Sequence, residues 1–142
     1  MTKIYIASSW NNRETVRHVM DMLESREHEI TEDWTTHHDP ALGDEYSWKD
    51  IIGIDKCDVF VMMLSDTKSF GKAFEMGYAY AKNKHIIVVG DKNLATSVFF
   101  KLTGNVDFRG IEVCHIVFIN EGTLYDNITL LIDYLNSVII YQ

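Results

Sequence analysis

Two short stretches of almost uninterrupted apolar residues constrain the fold of this chain most. CDVFVMML at 57–64 and HIIVVG at 85–90 have the length of strands and are rich in valine and isoleucine. A strand with one face in water alternates apolar and polar residues, whereas these two stretches offer hardly any polar face. The sequence therefore predicts strands that are covered by helices on both faces, as in a parallel sheet.

Strand and helix patterns alternate along the rest of the chain. Such alternation predicts a three-layer sandwich, in which helices cover both faces of a doubly wound, mostly parallel five-stranded sheet of the flavodoxin-like or Rossmann-like kind. We expect residues 1–142 to form one domain, because this length supports one full core. Strands are predicted at 3–8, 28–34, 57–64, 85–90 and 112–119, and helices at 13–27, 44–56, after 70, at 94–103 and at 123–139.

Composition and charge argue against several classes of function. A formal net charge of −8 disfavours duplex nucleic acid as a partner, since neutralising phosphates requires clustered lysine and arginine. No apolar run approaches the roughly 20 residues of a membrane span, and the chain enters a strand pattern directly, so we expect no membrane segment and no signal peptide. Cys57 and Cys114 lie at or inside apolar runs, which favours buried free thiols in a reducing compartment. We therefore expect a cytoplasmic protein.

The segment after strand 57–64, SDTKSFGKAFE, is the first candidate for a site, because ligands of parallel sheets bind beyond the carboxyl ends of the strands. Gly71 would allow a close backbone approach at the turn into the next helix. Ser69 offers a hydroxyl group beside it.

Glu75 is the one charge in the apolar run AFEMGYAYA. We expect it in about the first turn of its helix, where the helix dipole would keep the carboxylate ionised and suited to act as a nucleophile. The pattern alone leaves an alternative open, in which Glu75 caps its own helix or pairs with Lys72 or Lys82.

The loop after the first strand, SSWNN, carries Ser9 and Trp10, with Tyr5 nearby in the strand. Hydroxyl groups, amides and aromatic rings together suit a sugar and a base, although the loop could equally be an ordinary polar one. The dinucleotide-binding pattern G-x-G-x-x-G is absent.

DIIGIDKCDVF contributes several carboxylates just before strand 57–64. Asp58, at the start of the strand, is at the wrong end for a site and is expected to be structural. Asp50 could reach the carboxyl ends of the strands from its helix, or it could be an ordinary exposed residue. Trp34 and Trp48 could line a base pocket, but core packing is the commoner role for each.

A metal site is not expected. His37 and His38 precede Asp39, but no H-x-x-x-H or H-E-x-x-H spacing accompanies them, and paired loop histidines are usually solvated.

Taken together, three segments resemble the nucleoside 2-deoxyribosyltransferase family, including its relatives that hydrolyse nucleoside 5′-monophosphates. KIYIASSW is similar to the first strand and turn of the family, and DIIGIDKCDVFVMML to its acidic segment before an apolar strand. SFGKAFEMGYAYAKNKHIIVV matches the most specific motif, in which Gly is followed by Glu-x-Gly-x-Ala and a buried strand.

The resemblance implies three catalytic positions. Glu75 stands where the family has the nucleophile that attacks the anomeric carbon, and Asp50 where an acidic residue handles the proton of the base. Tyr5 falls where a tyrosine contacts the nucleophile and the sugar. The resemblance requires no cofactor and no metal.

The resemblance also implies substrate-binding positions. Ser69 stands where the transferases tend to have an Asp for the sugar 5′-hydroxyl and where the hydrolases have a phosphate-binding Ser, which favours a nucleotide. Ser9 and Ser97 fall near other phosphate-contacting serines, and we add Trp10 and Gly71 as neighbours of the substrate.

The function expected from the resemblance is cleavage of the N-glycosidic bond of a (2′-deoxy)nucleoside or its 5′-monophosphate, with transfer of the sugar to another purine or pyrimidine base or to water. A homo-oligomer is expected as well, because neighbouring subunits often complete family sites. Two alternatives remain open. One is a nucleotide-binding or nucleotide-sensing module without turnover, and the other is an NAD glycohydrolase.

Overall fold

The computed structural model describes residues 2–36, 47–64, 70–90, 116–119 and 124–137. In this part of the chain, five strands form one sheet in the order β2-β1-β3-β4-β5, and every neighbouring pair is parallel. The predicted doubly wound parallel sheet is therefore confirmed, and its strand order is that of flavodoxin-like folds. The strands are β1 (Lys3–Ala7), β2 (Glu29–Ile30), β3 (Val59–Met63), β4 (His85–Val89) and β5 (Ile116–Ile119).

The described helices follow the predicted alternation. Right-handed crossovers place the first helix on one face of the sheet and the next two on the other, where the latter contact each other. The predicted helix at 94–103 lies outside the described residues. The described helices are α1 (Arg13–Glu24), α2 (Ser47–Lys56), α3 (Phe70–Ala81) and α4 (Leu124–Ser137).

The centre of the sheet is as apolar as its sequence. Every side chain of β3 is buried, as are those of 86–89 in β4 and 4–7 in β1. Helix α1 covers one face with the residues whose helical spacing predicted it, namely Val16, Val19, Met20 and Leu23. Because strands without a polar face need cover on both sides, the composition of β3 and β4 accounts for their central position.

The two tryptophans considered for the core differ. Trp34 is buried, and its indole Nε1 donates a hydrogen bond of 2.6 Å to the carbonyl of Ile6. Core packing is wrong for Trp48, whose surface is 74% exposed. The reason is its position on α2, because Trp48 and Ile52 lie one turn apart on the outer face while Ile54 is buried on the inner one.

The remaining structural expectations concern a thiol, a carboxylate and membrane segments. Cys57 is a buried free cysteine, and burial raises the pKa of its thiol to about 12, whereas Cys114 lies outside the described residues. Asp58, at the amino end of β3, accepts a hydrogen bond of 3.1 Å from the backbone N–H of Lys3. Within the described ranges, no helix is both long enough and apolar enough to cross a membrane.

Candidate active site

Helix α3 presents Glu75 in its second turn. The helix begins at Phe70, so Gly71 lies within the first helical turn rather than in the connection before it. The expectation of Glu75 in the first turn is therefore wrong. Because the effect of a helix dipole falls off within that turn, the dipole does not set the charge of Glu75.

The hydroxyl group of Tyr5 donates a hydrogen bond of 3.1 Å to Oε1 of Glu75. Tyr5 is fully buried in the middle of β1, and its ring stacks on that of Phe60 in β3, with 5.8 Å between the centroids. Because the Tyr5 ring is buried and packs against Phe60, the direction of its hydroxyl group is fixed. Of the alternatives for Glu75, pairing with Lys82 is not observed, because Lys82 is directed towards Asp55, with 3.9 Å between Nζ and Oδ1.

The environment of Glu75 raises the pKa of its carboxyl group to about 8. Burial is the largest cause and the negative charge of Asp50 is the second, while the hydrogen bond from Tyr5 acts in the opposite direction. Burial and the charge of Asp50 thus oppose ionisation of Glu75 in the free protein, whereas the sequence predicted a carboxylate kept ionised by the helix dipole.

Asp50 occupies the first turn of α2. Its Oδ1 is buried, and within the described residues no hydrogen bond reaches that atom. Burial, followed by the charge of Glu32, raises the pKa of the Asp50 carboxyl group to about 7. Asp50 therefore changes its protonation state near neutral pH, which is the property that a general acid or base requires.

Asp50 and Glu75 form a coupled pair of carboxyl groups, since the charge of one raises the pKa of the other. Such a pair loses its protons in two steps that belong to both groups, and between these steps it holds one proton. Tyr5 stays neutral beside them, because burial and the charges of Glu75, Asp50 and Glu32 raise the pKa of its hydroxyl group well above the ordinary value. The site thus combines a hydroxyl donor with two carboxyl groups that share a proton.

Glu32 and Gly53 belong to this site, and sequence reasoning missed both. Glu32 follows β2 at the carboxyl edge of the sheet and is partly buried. Gly53 lies between it and Tyr5, since a Cβ atom at Gly53 would stand 2.7 Å from Cβ of Glu32 and 3.0 Å from Cδ2 of Tyr5. The rule that ligands bind beyond the carboxyl ends of parallel strands could have identified Glu32. It did not, because the whole of 28–34 was predicted to be a strand.

The loop after β1 is a compact 3-10 turn (Trp10–Asn12) at the carboxyl edge. Ser9 is buried, and its carbonyl accepts a hydrogen bond of 2.9 Å from the N–H of Asn12. The ring of Trp10 lies 6.5 Å from that of Trp34, and the guanidinium of Arg13 lies 4.7 Å from the Trp10 centroid. The loop therefore presents an aromatic ring and a cation near the end of β1.

Two predicted substrate-binding positions and the histidine pair fall in parts of the chain that the structure does not describe. Ser69 and Ser97 lie outside the described residues, and so do His37 and His38. Across the ranges that are described, no group of three His, Cys, Asp or Glu side chains could hold a metal ion.

The sequence model of the family described as nucleoside 2-deoxyribosyltransferase matches residues 4–110. The chain therefore belongs to the nucleoside 2-deoxyribosyltransferase family. A search among curated protein sequences gave no significant match.

Solved structures of similar fold include two that match nearly the whole chain. The CMP N-glycosidase BcmB of Clostridium botulinum is 17% identical with a TM-score of 0.66, and the match covers 91% of this chain and 97% of that one. BlsM, solved in solution, is 16% identical with a TM-score of 0.61, and the match covers 99% and 98% of the two chains. At these identities the likeness shows the fold.

Proposed function

We propose that this protein cleaves the N-glycosidic bond of a (2′-deoxy)nucleoside or its 5′-monophosphate, with Glu75 as the nucleophile. The observation that carries the proposal is the partly buried hydrogen bond from Tyr5 to Glu75 beside the second carboxyl group of Asp50. Family membership supports the reaction class.

In the first step, an oxygen of ionised Glu75 attacks the anomeric carbon of the sugar. The bond from this carbon to the base nitrogen breaks, and its electron pair leaves with the base. The transition state resembles an oxocarbenium ion, which an adjacent carboxylate stabilises before it forms the glycosyl ester. The hydrogen bond from Tyr5 favours the ionised form of Glu75 that this attack requires.

Asp50 supplies the proton that the departing base needs. A carboxyl group with a pKa of about 7 is protonated often enough at neutral pH to act as a general acid. The reaction thus requires one arrangement of the pair, in which Asp50 is protonated and Glu75 is ionised. Binding of the sugar over Glu75 selects this arrangement, because the developing positive charge favours the carboxylate.

In the second step, water or another base attacks the anomeric carbon of the glycosyl ester. The ester bond breaks, Glu75 leaves as a carboxylate, and Asp50 accepts the proton that an attacking water releases. Two displacements at one carbon give overall retention of configuration, as in retaining glycosidases. Because both outcomes use the same ester, hydrolysis and transfer differ only in the acceptor.

The substrate we favour is a 5′-monophosphate. Ser69 in place of an acidic residue would remove charge repulsion against a phosphate, and Ser9 and Ser97 would add hydroxyl donors. Trp10 would contact the base, and Gly71, at the start of α3, would let the phosphate approach backbone N–H groups. The name of BcmB, a CMP N-glycosidase of the same fold, supports a nucleotide substrate. We also propose a cytoplasmic homo-oligomer.

The test is a panel of nucleosides, their 5′-monophosphates and NAD, each incubated with and without an acceptor base and separated by chromatography. We expect free base from at least one monophosphate, faster than from the matching nucleoside. Release of nicotinamide alone, or recovery of every compound intact in spite of tight binding by calorimetry, would contradict the proposal.

A further inference from the structure

Glu32 lies where three parts of the site meet. Its stem packs against Gly53, since a Cβ atom on that glycine would come within 2.7 Å of Cβ of Glu32. The same atom would come within 3.0 Å of the Tyr5 ring. Asp50 precedes Gly53 by three positions, so the two residues lie on the same side of α2. Glu32, Tyr5 and Asp50 therefore converge on one contact between the end of β2 and the first turns of α2.

The end of β2 is fastened to this contact by its backbone. Thr31 Oγ1 donates a hydrogen bond of 2.7 Å to the carbonyl of Gly53, and the N–H of Thr31 donates one of 2.9 Å to the carbonyl of Ile4. These bonds hold the residue before Glu32 to both β1 and α2. The backbone that leads into Glu32 is thus held by the sheet and by α2.

The two carboxyl groups of the pair experience different neighbours. Glu32 acts on Asp50 and raises its pKa, whereas the groups that act on Glu75 are Asp50 and Tyr5. Tyr5 lowers the pKa of Glu75 through its hydrogen bond. Neighbouring groups that favour the proton on one carboxyl group and oppose it on the other are the usual means of separating acid from nucleophile.

We propose that Glu32 is a positioning residue for the glycosidic reaction, whose negative charge favours the arrangement in which Asp50 holds the shared proton and Glu75 is free to attack. The inference rests on the proposed function of Glu75 and Asp50. Within the described part of the chain, the charged and titratable groups around Asp50 are Glu32 beyond β2, Tyr5 on β1, Glu75 on α3 and the exposed Lys49 on its own helix.

The substitution Glu32→Gln removes the charge and keeps the shape. The productive form of the pair has Asp50 protonated, and its competitor at high pH is the fully ionised pair. Loss of the Glu32 charge favours the fully ionised pair over the productive form. At low pH the competing form is the doubly protonated pair, and Glu32 has little influence on its balance with the productive form. The kcat/KM of the variant should therefore match that of the wild type near pH 5 and fall progressively as the pH rises, to roughly one-tenth above pH 8.

The matched control is Glu29→Gln, which makes the same chemical change on the exposed surface of β2. We expect it to follow the wild type at every pH. A second variant, Glu32→Asp, retains the charge and should stay closer to the wild type at pH 8 than Glu32→Gln does. A loss in Glu32→Gln that is the same at all pH values, or an equal loss in both Glu32 variants, would overturn the inference and indicate a structural role.

A measurement without substrate separates this inference from the proposed function. The carboxyl signal of Asp50, assigned by its disappearance in Asp50→Asn, can be titrated by carbon-13 NMR in the wild type and in Glu32→Gln. We expect the midpoint to move to lower pH by roughly one pH unit when the charge is removed. An unchanged midpoint would refute the role of Glu32, whereas a wild type that releases no base would refute the proposed function alone.

Discussion

Helix α3 takes part in two tyrosine–carboxylate contacts that look alike and differ in their surroundings, one with β1 and one with α2. Near the carboxyl edge of the sheet, Tyr5 donates to Glu75 over 3.1 Å. About one turn later in α3, Tyr78 donates a hydrogen bond to Asp55 of α2 over the shorter distance of 2.7 Å. The first contact is partly buried beside a second carboxyl group, and the pKa of Glu75 is raised there to about 8, whereas the second contact is exposed.

The second contact is surrounded by cations and water. Lys82 lies 3.9 Å from the carboxylate of Asp55, with both side chains about half exposed, and Lys84 donates hydrogen bonds to the carbonyls of Asp55 and Cys57. Such exposed pairs contribute little free energy and are screened by salt. The comparison separates a short hydrogen bond at an exposed position from a carboxyl group buried beside a like charge, and the second environment is the one in which catalytic groups are usually found.

The largest effect should come from removing one carboxylate of each contact. Glu75→Gln keeps the shape of the side chain but removes the nucleophile, so base release should fall at least about 10⁴-fold. Asp55→Asn, the matched change at the exposed contact, should leave the rate of base release within about twofold. Chromatographic assay of both variants decides the matter, and more than a few per cent of residual activity in Glu75→Gln would argue against its role.

The next effect concerns the second carboxyl group of the buried site. Asp50→Asn cannot deliver a proton, so kcat should fall by roughly 10²- to 10⁴-fold for ordinary bases. The loss should shrink for substrates whose base leaves readily without protonation. An equal loss for good and poor leaving groups would show that Asp50 does not act as the acid.

A smaller effect is expected from the tyrosines. Tyr5→Phe removes the donor that favours ionised Glu75, so the pKa of Glu75 should rise and activity should fall about ten- to hundredfold. The loss should grow as the pH falls, because protonated Glu75 cannot attack. Tyr78→Phe should leave both the rate and its pH dependence unchanged, and a similar loss in both variants would remove the distinction between the contacts.

The smallest effect is on stability and has the opposite sign to the effects on activity. A carboxyl group whose pKa is raised in the folded state binds protons more tightly there than in the unfolded chain. Its contribution to stability is therefore complete below the unfolded pKa and is lost as the pH rises through the folded pKa of about 8. Glu75→Gln should be more stable than the wild type at pH 9, by about 1 to 2 kcal/mol, and nearly equal to it at pH 5.

Urea unfolding of the wild type and Glu75→Gln at the two pH values measures this difference directly. If Glu75→Gln is less stable than the wild type at pH 9, the buried carboxylate of Glu75 must be stabilised by an interaction from outside the Asp50–Glu75 pair.

Much of the fold could be predicted from residue patterns that have one physical explanation. The all-apolar run at 59–63 admits only a doubly covered strand, and the spacing of Val16, Val19, Met20 and Leu23 gives α1 its buried face. The lone charge of Glu75 in an apolar helix likewise indicated a site, and its contact with Tyr5 agrees with the resemblance.

The features that were not predicted depend on tertiary contacts. The exposure of Trp48 depends on which face of α2 meets the sheet, and α3 starts at Phe70, inside the segment whose residues predicted a turn. Glu32 is remote in sequence from Asp50 and reaches the site because Gly53 lets β2 and α2 approach closely. The sequence pattern does not show that Glu75 is buried, and burial is the largest cause of its raised pKa.

The most direct test of the account is intact-protein mass spectrometry of the enzyme quenched with acid during turnover of a deoxynucleoside 5′-monophosphate. The account predicts an adduct of one deoxyribose 5-phosphate unit, located by peptide mapping on Glu75 and absent from Glu75→Gln. Turnover in which the adduct lies on another residue, or in which rapid quenching finds no adduct while retention is observed, would contradict it.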